Sequence, residues 1–103
     1  MITFPTSSDI YLEQDGKKVA SLQSYMASKG DDGYHIQLSR VYMIDVNRPL
    51  SSLDNFSLVI EKPGKIIVHT GCRWKSITEE GTLDRMICDR ADIIAESREE
   101  AQP

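Results

Sequence analysis

Cysteine, histidine and tryptophan are scarce in this chain: two, two and one among 103 residues. Two cysteines do not make a disulfide framework. Cys72 and Cys88 are therefore expected to be reduced thiols in a cytoplasmic protein. The soft metal ligands His35, His69, Cys72 and Cys88 contain a single close pair, His69-x-x-Cys72, whereas a structural zinc site draws on two such pairs. No metal and no cofactor is expected. The G-x-S-x-G elbow and the glycine-rich loop opening a helix are both missing, so no catalytic residue is assigned and no enzyme is expected. Asp31-Asp32 and Glu79-Glu80 lie beside turns, where paired acids are solvated, and the calcium-loop pattern is absent. No apolar run reaches the ~18 residues that would span a bilayer. The opening MITFPTSSDIYLEQDG has neither the basic nor the apolar region of a signal peptide. Positive charge is also in deficit. Twelve basic residues stand against sixteen acidic ones, a net charge of −4. That balance argues against sequence-specific nucleic-acid binding.

What is present is a globular composition, 40% hydrophobic and 27% charged, in a chain sized for one domain, 1–103, with flexible ends at 1–8 and 97–103. Turns punctuate it. Asp15-Gly16 signals a hairpin, 29–33 (KGDDG) a polar turn, and Pro63-Gly64 a type II turn. Strand-like runs lie between. Ile10 and Leu12 alternate with Asp9, Tyr11 and Glu13. In 34–44, Tyr34, Ile36, Leu38, Tyr42 and Ile44 are assigned to one face, interrupted by Arg40, with Val41 and Met43 on the other. After 56–62 and its turn, 66–77 (IIVHTGCRWKSI) pairs back. Ile66, Val68, Thr70, Cys72 and Trp74 are assigned to one face, and Ile67, His69, Gly71, Arg73 and Lys75 to the other. Val68, Cys72 and Trp74 are expected inside. His69 and Cys72 then point apart unless a bulge intervenes, and Gly71 is the place for one. Residues 49–56 have a serine cap candidate at Ser51 or Ser52 and enough apolar spacing for one or two helical turns. Residues 80–94 fit either period, and 86–96 is favoured as strand. The expected fold is mainly β, a small antiparallel sandwich or barrel with one short helix.

The order of these elements resembles the tail-tube-type virion proteins of Gram-positive tailed phages, defective prophages and phage tail-like bacteriocins. The likeness is carried by the hairpin DIYLEQDGKKVASLQSY, then IQLSRVYM, then a short helical stretch. FSLVIEKPGKIIVHTGCRWKSI follows, with its G-C-x-W-x-S-I wording, and an apolar-acidic last strand closes the domain. The short connection at 29–33 and the reduced stretch at 49–56 depart from the common tube protein and fit a neck, tube-initiating or baseplate ring.

The resemblance implies function by assembly: a homo-oligomeric, hexameric ring around a channel, in contact with other phage tail proteins, in a virion or tail-like particle. Its inter-subunit contacts are expected at Lys29, Asp31, Asp32, Leu50, Leu53, Arg73 and Lys75. The competing expectation is a small phage-encoded accessory module that binds a host or phage protein. A thiol or metal enzyme ranks last, and it requires His69, Cys72 and Cys88 to converge.

Overall fold

A computed structural model of the chain describes residues 3–78 and 83–96. It contains seven strands: β1 (Asp9–Gln14), β2 (Lys17–Gly30), β3 (Gly33–Met43), β4 (Phe56–Lys62), β5 (Lys65–Ser76), β6 (Leu83–Cys88) and β7 (Arg90–Ala95). All pairings are antiparallel. The hydrogen-bonded order β4-β1-β2-β3-β6-β5 returns to β4 through the β4–β5 pairing, so the sheet closes as a barrel. β7 follows β6 after a break at Asp89 and lies along the first half of β5. The β1–β2 turn has positive φ at both Asp15 and Gly16, as a two-residue hairpin matched to strand twist requires. Asp31 and Asp32 form the tip of the long β2–β3 hairpin, between the paired Gly30 and Gly33.

The interior is filled from every barrel strand by Leu12, Ala20, Leu22, Ile36, Leu38, Val41, Phe56, Leu58, Ile60, Cys72, Met86 and Cys88. Burying each large apolar side chain contributes about 2 kcal/mol. Between β3 and β4 a 3-10 turn spans Leu50–Ser52, shorter than the helical stretch expected at 49–56. No serine caps it. Its N-cap is Pro49, and Ser52 Oγ donates to the Pro49 carbonyl at 2.7 Å. Residues 3–8 precede β1 outside any strand, and the Pro5 carbonyl accepts a hydrogen bond from Gly64 N–H. The segment 97–103, expected to be a flexible end, lies outside the described residues, as does Glu79-Glu80.

Two backbone switches set which side chains point inward, and both correct the faces expected from simple alternation. Arg40 has φ 57, and the Gln23–Arg40 position is the one gap in an otherwise even β2–β3 register. On the hairpin side of the gap Tyr25 pairs with Leu38; on the other side Leu22 pairs with Val41, and all four contribute to the core. Val41, not Tyr42, therefore continues the inward face of Ile36 and Leu38, and Tyr42 and Ile44 are exposed. The second switch is Gly71, at φ 65. Leu58 pairs with His69 and Phe56 with Cys72, so β5 spends one residue more than β4 over the same span. Such a bulge inverts the alternation. Ile67 and His69 face inward before it, Cys72 and Trp74 after it. Val68, expected inside, is paired with Val59 on the outer face.

Candidate functional site

The bulge brings His69, Cys72 and Cys88 into one region of the interior. Arg73 pairs with Ile87, which sets Cys72 opposite Cys88 on the inward face. The structure joins the two as a disulfide with Cα atoms 4.0 Å apart, a correction to the expected free thiols. Both cysteines are fully buried. The His69 ring is also buried, edge-on to Tyr34 at 5.1 Å between centroids. Desolvation holds the imidazole pKa below its ordinary value, and Nδ1 has no hydrogen-bond partner. The convergence that a thiol enzyme requires is thus present in space. What converges is a sealed disulfide and a neutral ring, with no thiolate to act as nucleophile. No group of three or more potential metal ligands occurs among the described residues.

Asp84 is a second buried polar group, and the alternating pattern of the sequence did not single it out. It faces the core opposite Leu38. Its Oδ1 accepts the Thr78 N–H at 2.8 Å, and the Thr78 hydroxyl accepts from Leu83 N–H at 3.4 Å. Oδ2 has no partner. The carboxylate anchors both sides of the β5–β6 connection.

The expected contact residues fall into two groups. Leu53 is buried and Leu50 packs against the core, so both serve this chain's own interior. The Leu50 carbonyl accepts the Trp74 indole N–H at 3.0 Å, and Trp74 lies on Phe56 at 4.9 Å between ring centroids. Lys29, Asp31, Asp32, Arg73 and Lys75 are exposed. His35 joins two of them. Its Nε2 lies 2.7 Å from Asp32 Oδ1 and its Nδ1 3.2 Å from Lys75 Nζ. With Lys75 charged, Nδ1 must accept and Nε2–H must donate, which fixes the tautomer. The same hydrogen bond lowers the Asp32 pKa. One row away, Arg73 pairs with Asp89 at 2.9 Å. This cluster draws on β3, β5, the β2–β3 tip and the break at Asp89, so no local motif announces it.

Beside the cluster is a cavity of about 360 Å³ on the outer face of β2, β3, β5 and β6, lined by Met26, His35, Gln37, Lys75 and Arg85 among others. Met26 is 69% exposed there. The hairpin arm next to it has an open edge: β2 pairs with β1 only through Ser21, and from Leu22 to Gly30 it has β3 as its one partner among the described residues. The edge of β7 away from β5 is likewise unpaired among the described residues, and Ile93 on β7 is 63% exposed. No helix among the described residues is long and apolar enough to cross a membrane.

Comparison with protein-family models, with curated proteins and with solved structures finds no match for this chain.

Proposed function

We propose that this chain is a structural assembly module that joins copies of itself into a ring, as a component of a phage tail or tail-like particle. The observation that carries the reading is the pair of strand edges left open among the described residues, Leu22–Gly30 of β2 and the outer edge of β7, on a barrel that is otherwise closed. An unpaired edge presents a row of free N–H and C=O groups that another strand can satisfy. Two different edges on one chain favour head-to-tail contacts, and head-to-tail contacts that close make a ring. Exposed Met26 on β2 and Ile93 on β7 add apolar surface to each edge. The phage-tail setting and the sixfold number rest on the resemblance in the hairpin and G-C-x-W-x-S-I wording.

The test is negative-stain electron microscopy over a concentration series, beside the mass in solution. Rings or short tubes with a central hole are the expected outcome. A single monomeric or dimeric species at every concentration, with or without tail proteins added, would sink the ring. It would leave the open β2 edge as the docking strand of an accessory module for a host or phage protein.

A further inference from the structure

The outer surface of the barrel is divided by charge. On β3, β5 and β6, the side chains of His35, Lys75 and Arg85 surround the 360 Å³ cavity. Neither Lys75 nor Arg85 forms an ion pair with a carboxylate among the described residues; nearby, His35 Nε2–H donates to Asp32 and Arg73 pairs with Asp89. Across the barrel, the outer face of β1 and β4 holds Asp9, Tyr11, Glu13 and Glu61, since Asp9 pairs with Glu61 and Tyr11 with Val59. Lys18 neutralises Asp9 at 3.3 Å, and Tyr11 donates to Glu61 Oε2 at 3.0 Å. Glu13 and Glu61 have no cationic partner among the described residues. Desolvation, then the hydrogen bond to Glu61 and the charges of Glu61, Glu13 and Asp9, raise the Tyr11 pKa to about 12. Apolar surface adjoins both faces. Met26 borders the basic cavity, and Ile94 continues the row from Glu61 through Ile66.

We infer that the basic face at Lys75 and Arg85 docks on the acidic face at Glu13 and Glu61 of a second copy of this chain. The inference rests on the assembly reading above and names the surfaces that meet. The occupant is a second copy because the chain holds both halves of the match. In the ring of strands β1 and β4 stand opposite β3 and β6, so one contact leaves each copy with a free acidic face at one end and a free basic face at the other. A contact of this kind repeats. In a chain of net charge −4, unoriented approach is repulsive, and the match selects one orientation.

The test uses two charge-reversed variants of the full chain. One has Lys75→Glu with Arg85→Glu; the other has Glu13→Lys with Glu61→Lys. All four side chains lie on the outer face, and circular dichroism confirms that each variant folds. Sedimentation at low salt is expected to show self-association of the wild type, weakened at least tenfold in either variant alone and recovered when the two are mixed in equal amounts. Neutral Lys75→Gln with Arg85→Gln is expected to fall between wild type and the reversed form. A wild type that assembles while both reversed variants assemble equally well overturns this inference and leaves the assembly reading intact. A wild type that stays monomeric at low salt and high concentration overturns both.

Discussion

Gly71 and Asp89 meet so closely that a Cβ on the glycine would stand 2.6 Å from the Asp89 carboxylate Oδ2. The glycine is also in the left-handed region, where an alanine is strained. Relief would require Asp89 to leave Arg73, its partner at 2.9 Å. Gly71→Ala is expected to lower stability by about 2 kcal/mol, the sum of backbone strain and a lost contact. Denaturant unfolding measures it. A midpoint unchanged from wild type would mean that the bulge is not set by this residue.

The bulge matters because it aims Cys72 at Cys88. The disulfide spans 16 residues and closes the seam between β5 and β6. A loop of that size contributes about 3 kcal/mol by restricting the unfolded chain. Unfolding in reductant, compared with unfolding in its absence, is expected to show that loss. Cys72→Ala with Cys88→Ala is expected to match the reduced protein. Labelling of two free thiols in the oxidised, unfolded chain would contradict the bridge.

Trp74 ties the β5 strand to the turn at Leu50. Trp74→Phe keeps the ring contact with Phe56 and removes the indole donor to the Leu50 carbonyl, so a loss of about 1 kcal/mol is expected. Trp74→Ala removes both, with an expected loss of about 3 kcal/mol. Equal losses in the two variants would show that the hydrogen bond, not the packing, holds the turn.

These features mark how far the sequence could be read. Asp15-Gly16 and Pro63-Gly64 turn where their backbone preferences direct, and the alternation of Ile10 and Leu12 against Tyr11 and Glu13 survives in β1. Alternation fails where a single residue enters the left-handed region. At Gly71 the residue type permits such a step, so a bulge could be located. Arg40 has no local feature that announces one, and the expected face of 34–44 went wrong from that residue onward. The disulfide was hidden by a different cause: simple alternation already places Cys72 inside, and it is the β5–β6 register, which no linear spacing displays, that sets it opposite Cys88. The strand favoured over 86–96 is real but is broken at Asp89, where the chain passes from pairing with both β3 and β5 to pairing with β5 alone. His35, Asp32 and Lys75 meet through strand register, which no linear spacing displays.

His69 makes stability depend on acid. Burial lowers its pKa below the ordinary 6.5, so the folded chain keeps it neutral where the unfolded chain takes up a proton. Its contribution is complete above about pH 6.5 and declines as pH falls toward the folded value. His69→Phe retains an edge-on ring against Tyr34 and removes the titration. The urea midpoint of the variant is expected to change less between pH 7 and pH 5 than that of the wild type. Identical pH slopes would assign the acid sensitivity to carboxylates instead.

Tyr11 reports from the opposite end of the pH scale. Its pKa of about 12, against an ordinary 10.0, reflects burial and the hydrogen bond it donates to the Glu61 carboxylate. The raised value favours the neutral phenol in the folded chain. The stability it adds is complete below about pH 10 and is lost as pH rises through 12. A Tyr11→Phe variant is expected to lose a step near pH 12 from the near-ultraviolet titration. Glu61→Gln removes the charge but leaves an acceptor, and is expected to bring Tyr11 down toward 10. A Tyr11 titration unchanged in Glu61→Gln would assign the raised value to burial alone.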